Sequence, residues 1–550
     1  MSMLLNIDSE EDRNARAKAA ALQADATLPD ADPVPSVGYT SRGNTLVIGC
    51  AENALPRAEQ LSAQLPVSVL LTDGPARIPP SDTARFPIFF GEEVKAGGWL
   101  GAFEVSWRQA GKEHQARFDL LLDLSETPLI ASHQPPHGYF KAGDVQSDQL
   151  ARMVGEFEKP RYFTYKEKLC AHGRNRKTGC SACIDICSAE AIAGAGERIK
   201  VNPWLCAGCG ACTTVCPTGA LSYAYPSAPY TGTRLKTLLT AYADAGGEQA
   251  VILFHSARQG KALIDALEQT QGLPARLMPM ELQHAASTGI DVWLAAIAYG
   301  ASGVIVLTSV EDAPQYIEAL SEQMNIAQTI LSGLGYAGRH MQLIQADAPE
   351  QLDQALSHAP KGDRPEKAAT FHIAADKRNA LDFALDHLYR HAPQKQERIA
   401  LAPGAPFGAV EVDVSACTLC MSCTGACPAS ALMAGVNLPQ LRFIEKNCVQ
   451  CGLCTATCPE HALTLVPRMS FSETSKNAVV LNESQPFHCI RCNKPFGTLH
   501  MIENMLARLS AHGAFSGNLD RLRMCGDCRV IDMMESQLRE AAIVEVKRPG

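Results

Sequence analysis

The chain has 550 residues, 46% of them hydrophobic, with a net charge of −9 and a pI near 5.9. That length exceeds what one hydrophobic core supports, so roughly three to five domains are expected. The acidic balance leaves nothing basic enough to coat a phosphate backbone, which excludes a general nucleic-acid binder. Of the 21 cysteines, almost all fall in Cys-x-x-Cys groupings, and in a chain without an export signal this reads as metal ligation rather than disulfides.

Residues 1–44 are rich in Ala, Asp and Pro and read as a partly ordered arm. The opening MSMLLNIDSEEDRNARAKAA has no apolar export segment and no twin arginine, which predicts a cytoplasmic protein. An N-terminal α/β domain is expected over 45–150: NTLVIGC as a buried strand, ENALPRAEQLSAQL as an amphipathic helix and PVSVLLTD as a second strand. GAFEVSWRQ and ARFDLLLDLS add strands before the exit HQPPHGYFKAGD. There is no G-x-G-x-x-G turn to support dinucleotide binding. Cys50, alone at the end of its strand, reads as a small buried hydrophobe rather than a ligand.

Residues 151–229 hold the first cysteine block. CAGCGACTTVCP places Cys206, Cys209, Cys212 and Cys216 in the pattern C-x2-C-x2-C-x3-C-P, which resembles the ligand run of bacterial two-cluster ferredoxins. Three thiolates two residues apart curl a short loop over three iron corners, and a distant Cys closes the fourth. The partner run is irregular. Nine residues, AHGRNRKTG, separate Cys170 from Cys180 before Cys183 and Cys187 resume the spacing, and Ser188 stands where Pro usually follows. Crossed ligation assigns Cys170, Cys180, Cys183 and Cys216 to one 4Fe-4S cubane and Cys206, Cys209, Cys212 and Cys187 to the other, with a three-iron cluster as the alternative for the irregular set. The insert Ala171–Gly179 carries His172, Arg174, Arg176 and Lys177, and is expected to project as a basic docking surface, against the blander reading of a solvated loop.

Residues 230–360 alternate strand and helix: QAVILFH, ARLMPM, GVIVLTS and MQLIQAD, each followed by a helical stretch, the second being ELQHAASTGIDVWLAAIAYG. This predicts a parallel, doubly wound sheet. The layout resembles the delta subunit of methyl-viologen-reducing hydrogenases. The segment has no Cys, so the resemblance implies a docking or structural role without that subunit's cluster. IDVWLAAIAYGASGVIVL over 290–307 is apolar, but Asp291, Gly300 and Gly303 interrupt it. A buried helix breaking at Gly300 and a buried strand explain it better than a membrane span. His255 and His284, at strand ends, read as surface or core histidines. Residues 361–405 are a linker, HAPKGDRPEKAA, followed by a helix, DKRNALDFALDHLYRHA.

Residues 406–470 repeat the ferredoxin pattern twice without interruption, in CTLCMSCTGACP and CVQCGLCTATCP. Zinc or disulfides would not explain two identical four-cysteine runs each closed by Pro. Crossed ligation gives one cubane to Cys417, Cys420, Cys423 and Cys458 and the other to Cys448, Cys451, Cys454 and Cys427. Residues 471–550 carry two Cys-x-x-Cys knuckles, FHCIRCNKPFG and RMCGDCRV. Cys489, Cys492, Cys525 and Cys528 have the spacing of a closed tetrahedral site, for zinc or a mononuclear iron, with a fifth cluster as the remaining alternative.

The fold class expected is therefore a multidomain α/β and α+β chain: two bacterial-type two-cluster ferredoxin modules, a doubly wound α/β domain and a C-terminal metal knuckle domain with four cysteine ligands. The order of pieces, above all GEFEKPRYFTYKEKLCAHGRNRKTGCSACIDIC and the terminal MCGDCRV, resembles proteobacterial multi-cluster 4Fe-4S binding proteins encoded beside formate dehydrogenase genes. The resemblance covers nearly the whole chain and implies electron transfer, with a formate dehydrogenase as redox partner. No nucleophile, phosphate loop or substrate motif accompanies the cysteines. Two other classes stay open: an iron–sulfur subunit of a larger oxidoreductase, with a flavin site in the N-terminal domain, and a maturation or sensing factor for a metalloenzyme.

Overall fold

The computed structural model describes residues 10–74, 85–143, 147–436, 438–510 and 519–546. It is a mixed α/β, multidomain chain that divides into two compact units. One holds the chain up to Glu167, Ser181–Ala195 and Ile199–Gln394; the other holds Lys168–Cys180, Gly196–Arg198 and the chain from Lys395.

The first unit contains two parallel sheets. In the N-terminal one, β1 (Thr45–Gly49), β2 (Val67–Leu71), β3 (Ile88–Phe90), β4 (Leu120–Asp123) and β5 (Tyr139–Lys141) lie in the order β3-β2-β1-β4-β5. Every residue of β1, β2 and β4 is buried because both faces are covered. Val47, Val69, Leu120 and Leu122 meet Ala54, Ala58 and Leu61 of the helix Ala51–Ser62. On the other face, Leu46, Ile48, Leu70 and Leu121 meet Phe103, Val105, Trp107 and Phe118. These come from a separate antiparallel sheet of Glu92–Gly97, Phe103–Gln109 and Lys112–Phe118. The predicted single strand ARFDLLLDLS is thus two, divided at Asp119, whose Oδ2 accepts from the backbone N–H groups of Arg42 and Asn44 at 2.9 and 3.0 Å.

The central sheet comprises β6 (Val251–Ser256), β7 (Leu277–Leu282), β8 (Gly303–Thr308) and β9 (Met341–Gln345), all parallel, in the order β7-β6-β8-β9. One face packs Val251, Leu253, Ile305 and Leu307 on Leu263, Leu267, Leu352 and Leu356 of its helices. The helix Ile290–Ala298 is buried along its whole length. The chain leaves it at Gly300, whose φ of +105° suits glycine, and enters β8. Among the described residues no helix is long and apolar enough to cross a membrane. The predicted helical stretch from Glu281 is corrected: β7 runs to Leu282, a 3-10 turn covers Ala285–Ser287, and the helix starts only after Gly289. The predicted arm is corrected too, because Glu10–Ala26 form a helix. Small Ala17 and Ala21, one turn apart and fully buried, let it lie on the helix Ala228–Asp244, where Asp25 pairs with Arg234 at 2.7 Å.

In the second unit, Arg398–Ala400, Leu463–Ser470 and Gly408–Val412 form one antiparallel sheet, and Leu432–Ala434, Gln440–Phe443 and Val479–Glu483 another. Between them lie two short helices, Ser422–Ala426 and Leu453–Thr457, and a core made largely of cysteine, leucine and valine side chains.

Candidate metal centres

The cysteine loops are shaped by backbone conformation before any side chain acts. In three of the four runs the residue before the second Cys and the residue after it are left-handed. These are Gly208 and Gly210, Leu419 and Met421, and Gln450 and Gly452, with φ from +53° to +79°. Such residues cost a non-glycine side chain on the order of 1–2 kcal/mol. The first of these runs avoids that cost with two glycines and the other two accept it at Leu419, Met421 and Gln450, and in all three the pair curls the loop around one point. The irregular run lacks the pair: Ser181, after its second Cys, has φ −117°.

At the fourth Cys of each run, a backbone N–H four or five residues further on donates to sulfur. Ala191 reaches Cys187 Sγ at 3.3 Å, Ala431 reaches Cys427 at 3.2 Å, Ala462 reaches Cys458 at 3.4 Å and Leu221 reaches Cys216 at 3.5 Å. Donors of this kind favour thiolate over thiol.

The thiols themselves are crowded across runs. Burial pushes the Cys423 thiol up to about 12, and its neighbours Cys420, Cys417 and Cys458 add to the push. Burial does the same to Cys454, also to about 12, with Cys448, Cys451, Cys427 and then Cys423 as neighbours. In the first unit burial holds Cys212 well above the ordinary thiol range, reinforced by Cys209, Cys206, Cys187 and Cys183. Several buried thiolates side by side are unfavourable without a cationic core, and supplying one is what iron would do there. A cavity lined by Cys417, Cys420, Cys423 and Cys458 lies within the second module. Of the remaining predicted ligands, Cys170 and Cys180 belong to the second unit and Cys183 and Cys216 to the first.

Cys489, Cys492, Cys525 and Cys528 form a different kind of site. Their sulfurs all lie within 4.8 Å of one another, and Cys492 and Cys525 are 3.6 Å apart. Four thiolates at about 2.3 Å from a single tetrahedral ion have edges of about 3.8 Å. Among the described residues no other group is this tight, and a cubane, with four irons between its sulfurs, demands the wider spacing. Burial pushes the Cys489 thiol up, but the backbone N–H groups of Cys525, Cys492 and Arg491 outweigh it and bring it down to about 6. The residues present fit a mononuclear metal ion.

The comparisons with known proteins agree with this geometry. Residues 178–220 and 416–463 each match the family described as 4Fe-4S dicluster domain. The chain carries two 4Fe-4S dicluster domains. They support an iron–sulfur, electron-transfer role and suggest four clusters. The first match starts after Cys170, so the nine-residue interruption lies largely outside it. No curated protein matches the chain.

The insert Ala171–Gly179 is not a freely projecting loop. It forms a hairpin, Gly173–Arg174 with Lys177–Thr178, whose base is buried at Ala171 and His172, with His172 Nδ1 2.9 Å from the Cys180 carbonyl oxygen. Ala171 packs with Ala426 and Leu453. Only the tip, including Arg176 and Lys177, is exposed. Cys50 is half-buried at the start of its helix. His255 is buried with Nδ1 3.2 Å from the Ser256 carbonyl oxygen, and His284 pairs with Asp312 at 3.1 Å.

Three residues near the sulfurs carry no motif. Tyr316 donates to Cys209 Sγ at 3.0 Å, Gln450 Nε2 donates to Cys448 Sγ at 3.3 Å, and Lys159 Nζ donates to the carbonyl oxygens of Trp204 and Cys206 at 2.8 and 2.7 Å. The one signal that could have found Tyr316 is its place just beyond the carboxyl end of β8, the edge where parallel sheets build sites.

Proposed function

We propose that this chain is an electron carrier with four 4Fe-4S clusters and one zinc ion, relaying electrons to or from a formate dehydrogenase-type oxidoreductase. The ligand sets proposed are Cys170, Cys180, Cys183 and Cys216; Cys206, Cys209, Cys212 and Cys187; Cys417, Cys420, Cys423 and Cys458; and Cys448, Cys451, Cys454 and Cys427. The observation that carries the reading is the crossed neighbourhood of thiols in the second module, where Cys458 sits with the first run and Cys427 with the second. Each cluster, when bound, takes up and returns one electron. The protein's part is to bury the sulfurs, aim backbone N–H groups at them and keep water out, which sets the potential. The tight spacing at Cys489, Cys492, Cys525 and Cys528 supports a single ion over a fifth cluster.

The partner rests on the resemblance of the Cys170 run and the terminal knuckles to proteins encoded beside formate dehydrogenase genes. Anaerobically purified protein is titrated with formate, with and without formate dehydrogenase, while its visible absorption is followed. Bleaching that requires the dehydrogenase supports the proposal. Clusters that dithionite reduces but formate plus dehydrogenase never does would remove the partner.

A further inference from the structure

Tyr316 is 1% exposed and sits in the first turn of the helix Pro314–Gly333, in the central α/β region rather than in either ferredoxin module. Its ring is fixed from the side. The imidazole of His284 meets it edge-on at 5.6 Å. His284 Nδ1 accepts from the Ala286 N–H at 3.1 Å, which leaves the ring proton on Nε2, 3.1 Å from Asp312 Oδ1, and Asp312 in turn accepts from the Ser309 N–H at 2.8 Å.

The hydroxyl reaches three groups: Cys209 Sγ at 3.0 Å, Gln134 Oε1 at 3.4 Å and the hydroxyl of Ser188 in close contact. Ser188 is also 3.0 Å from Gln134 Oε1. A thiolate bound to iron has no proton to give, so Tyr316 is the donor to Cys209. Ser188, the residue found where these runs usually have Pro, follows Cys187, a proposed ligand of the same cluster. A proline there would offer no hydroxyl to the tyrosine oxygen. Thr218 at Cys216, Ser422 at Cys420 and Gln450 at Cys448 each lie two residues along the chain from the sulfur they meet, whereas Tyr316 comes from another part of the fold.

We propose that Tyr316, supported by Ser188 and held by the His284–Asp312 pair, is a positioning residue that raises the potential of the cluster ligated by Cys187, Cys206, Cys209 and Cys212. A hydrogen bond to a ligand sulfur stabilises the more negative, reduced state, and a buried one is little screened. One electron enters and leaves; the tyrosine keeps its proton in both states. The central domain thereby lowers the energy of an electron on this cluster.

The inference rests on the four-cluster reading, whose failure would appear as missing iron in the parent protein rather than as an unshifted potential in a variant. The test is a spectroscopic redox titration of full-length, iron-loaded Tyr316→Phe, which keeps the ring and removes the donor. One midpoint potential is expected to fall while the others stay. Resonance Raman should show an iron–sulfur stretch moved to higher frequency, with reduced sensitivity to D2O. Ser188→Ala, which leaves the tyrosine in place, should lower the same midpoint by less, and it decides the matter if Tyr316→Phe binds less iron. Unmoved midpoints in an iron-replete Tyr316→Phe protein, or in Ser188→Ala where that variant is the arbiter, would overturn the assignment.

Discussion

Gly179 sits against Leu453 so closely that a Cβ on the glycine would lie 2.5 Å from Leu453 Cγ and 2.9 Å from the Ala171 carbonyl oxygen. Leu453 is fully buried and the carbonyl belongs to the backbone of the same hairpin, so neither yields cheaply. Gly179→Ala is expected to destabilise the second unit by about 1–3 kcal/mol through overpacking. Denaturant titration of the full chain checks this, and an unchanged midpoint would mean that the hairpin is not seated on Leu453.

The crossed arrangement makes a prediction about which variants resemble one another. Cys427 stands in the first run of the second module, but its thiol neighbours Cys454, a residue of the second. Cys427→Ser should therefore alter the same paramagnetic signal as Cys454→Ser and leave the signal altered by Cys420→Ser unaffected. Pairing of Cys427→Ser with Cys420→Ser would place each cluster within one run.

Removing one of four thiolates opens a closed tetrahedral site. Cys489→Ala should lose the non-cluster metal and loosen the C-terminal region, with the 4Fe-4S absorption intact. Elemental analysis with limited proteolysis reads both. Loss of a redox-active signal in this variant would replace zinc by iron.

Arg468 donates Nε and an Nη to the two oxygens of Glu445 at 2.7 and 2.8 Å, both side chains being mostly buried, and so ties the strand Leu463–Ser470 to the turn before Cys448. Arg468→Ala is expected to cost about 1–3 kcal/mol. Arg468→Lys should recover little of it, because an ammonium cannot reproduce the two-pronged geometry. Chemical denaturation of the three proteins side by side tests both statements.

The cysteine spacings were legible because a cluster loop is local: three ligands and their turn lie within a few residues. The central sheet was legible for a related reason, since strands buried on both faces, such as GVIVLT, write themselves as unbroken apolar runs. The helix Glu10–Ala26 was not, because its buried face is built from Ala17 and Ala21 and a polar Asn14, which carry almost no hydrophobic contrast. Nor was the hydrogen bond from Tyr316 to Cys209, which joins residues far apart in sequence and depends on how a helix start meets a cluster loop. The hairpin Ala171–Gly179 was half legible: its basic tip showed in the letters, its buried base did not.

That tip keeps a testable role under the proposed function. Arg176 and Lys177 are exposed, and charges of this kind steer an acidic partner only while salt is low. Reversing both to Glu should slow electron exchange with such a partner and flatten its dependence on ionic strength, with reduction by a small neutral mediator unchanged. Stopped-flow mixing across a salt series measures it, and an unaltered slope would leave the tip as a solvated turn.

The seat of the hairpin also sets a timetable. Ala171 packs with Ala426 and Leu453, yet the whole central sheet must be translated between them. At ordinary elongation rates the segment Lys168–Cys180 waits on the order of tens of seconds before its neighbours exist. During that interval Cys170 and Cys180 are carried on a strip of nascent chain with nowhere to rest. Under the proposed function, a chain terminated before Ala426 would carry Cys170 and Cys180 on a hairpin that lacks the neighbours on which it is seated.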